Sequence, residues 1–279
     1  MTERKLIQRQ LPAKAPQPSA PKRSQALKPA GNGRSAAPRD RIFAKPKARL
    51  ADFNFGRETA EVFDDMLLRS VPMYAETQRM VADLVADFAA DKSNIYDLGC
   101  STCTSFLDID RALPKDRDVK FIGMDSSPEM LQRGREKLEA TKFARPYALE
   151  LIDFDQGVEL QNASVALLVL TLQFVRPLHR DALLASIYKG MNENGCLILV
   201  EKVLGESSTL NRLYIKHYYD FKRQNGYSDL EISQKREALE NVLIPYRLEE
   251  NRELLKRTGF RTVDVFFKWF NFSGVIAVK

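Results

Sequence analysis

From Glu58 onward, Ala60, Phe63, Met66 and Leu67 recur at three- and four-residue spacing until Pro72 closes the run, which predicts an amphipathic helix. A second helix is predicted over 75–90, with Met80, Leu84, Val85 and Phe88 on its apolar face. The pattern then changes to short apolar runs: NIYDLG (94–99), KFIGMD (120–125), YALELIDF (147–154), VALLVLTLQF (165–174) and CLILVEK (196–202). These read as buried strands. Helical spacing separates several of them, at 127–142 and 178–191. Alternation of this kind implies a doubly wound α/β domain, with a mostly parallel sheet covered on both faces.

The last residues break the alternation. TVDVFFKWF (262–270) and SGVIAVK (273–279) are joined by very few residues, which suits an antiparallel hairpin. Five parallel strands followed by a hairpin resemble the S-adenosylmethionine-dependent methyltransferases. A polar helical stretch over about 206–250 reads as a lid inserted above the substrate pocket.

Composition divides the chain in two. Overall, 43 basic residues face 37 acidic ones, but residues 1–49 hold 13 Lys/Arg against only Glu3 and Asp40. The folded body is therefore mildly acidic, and no nucleic-acid groove is expected on it. Residues 1–39 are rich in Pro and basic residues, without an apolar period, and are expected to be a disordered tail. A solubilising or polyanion-attracted role competes there with organelle targeting, against which the prolines count. There is no apolar run long enough to cross a membrane and no apolar signal core at the start, and three cysteines make no disulfide framework. A reducing, cytoplasmic setting without membrane attachment is the expectation.

The loop YDLGCSTCTS (96–105) supports two chemistries. As C-x-x-C it could be a dithiol, or half of a metal site for which further ligands at fitting spacing are missing, so no metal is expected. As D-x-G after a strand it is the first loop of a nucleotide-binding sheet, where Gly99 lets backbone approach a ligand. Asp125, at the tip of the second strand, is placed to accept ribose hydroxyls, and Pro128 suits the first turn of the following helix. Asp153 and Phe154 end the third strand, where a carboxylate and an apolar ring can take an adenine. No G-x-G-x-x-G is present, in keeping with a sulfonium nucleoside that has no pyrophosphate to cradle. An S-adenosyl ligand is the better reading of the loop.

From about Asp40 to Lys279 the chain resembles the carboxy-S-adenosyl-L-methionine synthase family. AEVFDDMLLRSVPMY (60–74), YDLGCS (96–101), D-S-S-P-E-M (125–130), NAS with LTLQF (162–174), DFKRQNGYSDLEISQKREALENVL (220–243) and the terminal FNFSG carry the resemblance. It implies a seven-stranded methyltransferase sheet, a homodimer, and conversion of S-adenosylmethionine and prephenate to carboxy-S-adenosylmethionine and phenylpyruvate. The product would serve a partner enzyme in tRNA wobble uridine modification. Carried over by motif, Tyr74, Gly99, Cys100, Ser101, Asp125, Ser126, Asp153 and Phe154 would bind the cofactor. Arg236 would hold the new carboxylate through its planar fork, and Tyr227 would line the pocket. On the residues alone, Arg236 could equally pair with Glu240 on a helix surface. Lys222 and Arg223 could attract a dianionic substrate. The pattern departs at Cys103, where glycine is usual, and at Val169, where asparagine is usual. A small-molecule methyltransferase and a non-catalytic S-adenosylmethionine-binding protein are the competing readings.

Overall fold

The computed structural model describes residues 38–279; most of the predicted tail lies outside them. Two helices come first, α1 (Arg57–Ser70) and α2 (Tyr74–Phe88). The buried side of α2 carries Tyr74, Gln78, Val81, Ala82 and Val85, while Met80, Leu84 and Phe88 are half-buried. The apolar face is therefore turned from the expected one, because the small and polar residues Ala82 and Gln78 pack inward.

Strands β1 (Ser93–Leu98), β2 (Val119–Asp125), β3 (Tyr147–Leu151), β4 (Ala163–Val169) and β5 (Met191–Lys202) are mutually parallel. The hairpin β6 (Thr262–Trp269) and β7 (Phe272–Val278) closes the sheet, with β7 antiparallel to β5. The order is β3-β2-β1-β4-β5-β7-β6. One face of the sheet packs against α2, α3 (Thr104–Ala112) and α4 (Pro128–Ala140) around Val81, Phe106, Phe121 and Leu138. The other packs against α5 (Pro177–Gly190) and α8 (Leu248–Thr258) around Leu183, Ile187, Leu254 and Leu255. Both faces are buried, which is why the strands read as continuous apolar runs. No described helix is long and apolar enough to cross a membrane.

Two strands stop earlier than their apolar runs. β3 ends at Leu151, and Phe154–Gln156 form a 3-10 turn after Asp153. β4 ends at Val169, after which Leu170 takes φ +61° and Leu172–Phe174 form another such turn. A carboxylate from β5 causes the second stop. Glu201 accepts hydrogen bonds from the backbone N–H groups of Thr171 (3.2 Å), Leu172 (3.0 Å) and Gln173 (2.8 Å). Such a capped turn leaves no trace in hydrophobic spacing.

Helices α6 (Ser208–Gln224) and α7 (Asp229–Ala238) make up most of the predicted lid. Ser228 and Glu231 cap α7 reciprocally, in a capping box. The segment before α1 is strapped to α7. Gln234 accepts from the Lys47 N–H (2.8 Å) and donates to the carbonyls of Phe43 and Lys45, and the Phe53 N–H donates to the Ala238 carbonyl.

Candidate active site

The carboxyl ends of β1 to β5 open into one cavity of about 260 Å³, roofed by α1, α2 and the two lid helices. It lies where β1 separates β2 from β4, the point at which the strand order reverses. Tyr74, Gly99, Cys100, Ser101, Asp125, Ser126, Asp153 and Phe154 all line it. Segments as far apart as α2 and the end of β3 are thus brought to one space.

Gly99 has φ +81°, and a Cβ there would overlap the Thr171 side chain. Only glycine combines that backbone with that neighbour. Asp125 ties two loops together: Oδ2 accepts from the Ser101 N–H and Oδ1 from the Ser127 N–H, each at 2.9 Å. Carboxylate oxygens keep further acceptor capacity after one bond each, so hydroxyls of a bound sugar could still be held. Burial raises the Asp125 pKa while these backbone donors oppose the shift. Ser127 accepts from the Met130 N–H and Pro128 opens α4, as the sequence suggests.

Beside Asp125 lies Asp97, fully buried in β1 and pushed to about 7 by burial first and the Asp125 charge second. Tyr74 begins α2, and its hydroxyl accepts from Gln78 Nε2 at 2.9 Å. The Gln78 Oε1 atom is buried on the cavity wall without a hydrogen-bond partner among the described residues. A buried orphan acceptor is costly, so it marks where a ligand donor would be welcome. Phe53, Phe55 and Phe174 form an aromatic wall, with Phe55 edge-on to the other two at 5.2 and 5.1 Å.

The cysteines serve packing. Cys100 Sγ occupies space left by Gly123, and Cys103 Sγ occupies space left by Gly134; a Cβ on either glycine would come within 2.8 Å of sulfur. The Cys100 thiol is pushed well up by its hydrogen bond with Cys103 and by burial, which disfavours the thiolate that redox chemistry requires. Cys103 itself takes φ +58°, a left-handed conformation that glycine adopts without strain. The departure from glycine therefore carries backbone strain together with the buried sulfur.

Two expected pocket residues lie elsewhere. Arg236 is exposed and does not line the cavity; its neighbour Lys235 does. Successive helical side chains point roughly 100° apart, so α7 can present only one of the two inward. The phase of α7 is legible in its apolar positions: Ile232 and Ala238 are buried, and Lys235 falls midway between them on the same stripe. Tyr227 is buried outside the cavity. Its hydroxyl donates to Asp40 Oδ2 at 2.6 Å, and the Arg69 guanidinium stacks on its ring at 4.1 Å. It braces the lid against the N-terminal segment instead of touching a ligand. Arg223 is also exposed and paired with Asp220 and Asp229. Motif reading missed Asp97, Gln78, Lys202, Tyr218 and Lys235 on the wall, and Glu201 behind it.

Residues 95–195 match the family described as Methyltransferase domain. The carboxy-S-adenosyl-L-methionine synthase of Methylococcus capsulatus is 56% identical over 241 residues, covering 86% of this chain and 99% of the relative. That of Desulforapulum autotrophicum is 44% identical, covering 86% and 97%. Among solved structures, human N-acetylserotonin methyltransferase in complex with SAM shares the fold at TM-score 0.54 and 17% identity. That match covers 80% of this chain and 56% of the longer human one. The sheet order, the cavity at its switch point and the near-full-length identity agree, and the chain belongs to the carboxy-S-adenosyl-L-methionine synthase family.

Proposed function

We propose that the protein is a transferase that converts S-adenosylmethionine and prephenate to carboxy-S-adenosylmethionine, phenylpyruvate and water. One observation carries the reading. On a chain 56% identical to a curated synthase, a single cavity joins an adenosyl-type site on β1 to β3 with a basic end at β5 and the lid. Asp125 would hold the ribose, Asp153 and Phe154 the adenine, and Tyr74 and Gln78 the polar groups near the sulfonium. The bound cofactor supplies a methyl group acidified by the adjacent sulfonium. The chain supplies position, a dry aromatic enclosure and fixed charge, which favour capture of carbon dioxide before it escapes. The carboxylated product would serve tRNA wobble uridine modification in the cytoplasm.

Arg236 lies outside its own cavity, so a role on the new carboxylate requires a second copy to present it. The homodimer implied by the resemblance would have to do so. Arg236→Ala should then lower retention of the carboxylated product while sparing S-adenosylmethionine.

Mass spectrometry tests the reaction. Incubated with S-adenosylmethionine and prephenate, the protein should yield a cofactor heavier by the mass of carbon dioxide. S-adenosylmethionine left unchanged by prephenate would overturn the proposal and favour a methyltransferase acting on another small molecule.

A further inference from the structure

Away from the adenosyl end, three lysines converge without an ion-pair partner among the described residues. Lys202 ends β5, Lys222 lies in the last turn of α6 and Lys235 in the last turn of α7. Lys202 and Lys235 line the cavity. The ammoniums of Lys202 and Lys222 sit 5.2 and 5.5 Å from the same Tyr218 ring. Lys222 is also 5.4 Å from the Tyr227 ring, and Lys235 is 5.7 Å from Phe53. Among the described residues, the lysines in ion pairs are Lys137 and Lys279, and none of these three is paired.

Nearby charges are already engaged. Asp40 accepts from the Tyr227 hydroxyl and the Ile42 N–H. Glu231 closes the capping box of α7, and Arg69 is paired with Asp65. Aromatic faces attract the ammoniums only partly. Burying three like charges together is otherwise costly, and methionines would fill the same space without that cost. The cost is visible in the lysines. Burial, then Lys235 and Lys202, lower Lys222 to about 7, and burial lowers Lys202 and Lys235 to about 8.

We propose that Lys202 and Lys235 form the anion subsite for the second substrate, a ring-bearing dicarboxylate, with Phe53, Tyr218 and Phe272 packing its ring. Lys222, which is not on the wall, is a positioning residue that adds charge and holds Tyr218. The inference rests on the reaction proposed above and names the residues that recognise its second substrate. Arrival of a dianion restores the protons these lysines lack, so binding takes up protons near pH 8. The surrounding hydroxyls of Tyr218 and Tyr227 are pushed up by burial, out of that range. Asp97 and Asp125 lie at the opposite, adenosyl end.

The test uses the full chain with prephenate as probe. Lys202→Met and Lys235→Met should each raise the prephenate KM by about thirtyfold or more, with S-adenosylmethionine affinity changed by less than about twofold. Lys235→Arg, which keeps the charge, should recover much of the loss, and Arg223→Met should behave as wild type. Calorimetry of prephenate binding at pH 8, in two buffers of different ionisation enthalpy, should show proton uptake that shrinks in Lys222→Met. An unchanged prephenate KM overturns the subsite. Parallel loss of both affinities assigns the lysines to the cofactor and also overturns it. If wild type makes no carboxylated product, the reaction fails but the subsite is judged by calorimetry alone. Prephenate binding with proton uptake upholds it, and no binding overturns it. Should a methionine variant not fold, absence of proton uptake in wild type overturns it and its presence supports it.

Discussion

The two ends of the cavity handle charge in opposite ways. At the adenosyl end, the Asp125 carboxylate is met by backbone N–H groups of the loops it joins, and behind the wall Glu201 is met by three more. Burial raises the pKa of both groups, and the donors that the chain supplies oppose the shift and make the buried carboxyls tolerable. At the basic end, Lys202, Lys222 and Lys235 rest on aromatic rings and have no ion-pair partner among the described residues. The comparison separates charge that holds the fold from charge that waits for a ligand. Removing the first should cost stability; removing the second should cost binding and cost the fold little.

The sharpest break comes at Glu201. Glu201→Leu leaves three buried N–H groups without their acceptor and should destabilise the protein by about 3 kcal/mol, read from urea unfolding. An unchanged midpoint would mean that the turn after β4 holds itself. Gly99→Val comes next. The left-handed backbone costs a branched residue about 1–2 kcal/mol before its overlap with Thr171, so S-adenosylmethionine affinity should fall about a hundredfold by calorimetry. Affinity within about threefold of wild type would remove Gly99 from the site.

A smaller effect belongs to the basic end. The lysines have pKa values lowered to about 7 to 8, so above that range the folded state binds fewer protons than the unfolded state, whose lysines titrate near 10.5. Stability of the ligand-free protein should therefore rise between about pH 8 and 9, by on the order of 1 kcal/mol. Asp97, raised to about 7, acts oppositely below that window, while Glu201, raised to about 8, and the buried thiols of Cys100 and Cys196, also pushed up, offset part of the gain within it. Thermal melts across the range test this, and a flat or falling profile would contradict the uncompensated charge. The smallest effect is expected at Cys103→Gly. Relief of the left-handed backbone and loss of a buried sulfur should nearly cancel, leaving stability within about 1 kcal/mol and cofactor affinity almost unchanged.

Why the sequence revealed one end and not the other follows from the same contrast. The adenosyl end is built from local signals: a glycine or an aspartate at the tip of an apolar run, a serine-proline opening a helix. Each is visible within a few residues, and the sheet order then brings them together. Glu201 and Lys202 are adjacent in sequence, yet β5 turns them to opposite faces, one behind the loop and one into the cavity. Only the register of β5 decides which does which. The choice between Lys235 and Arg236 depends likewise on the phase of α7. The early end of β4 was hidden because an apolar run does not reveal a turn capped by a side chain thirty residues away, whereas β3 stops before a turn that Asp153 caps locally, accepting from the Asp155 N–H.

The pairing of Cys103 with Gly134 makes the two positions heirs to one volume. A glycine inside α4 costs helix stability of about 1 kcal/mol relative to alanine, and the sulfur of Cys103 is what fills the room it leaves. Neither residue can be exchanged freely while the other stays. Gly134→Ala should be harmful beside Cys103 and far better tolerated in a chain that already carries Cys103→Gly. In a lineage that changes this loop, positions 103 and 134 should therefore drift as a linked pair.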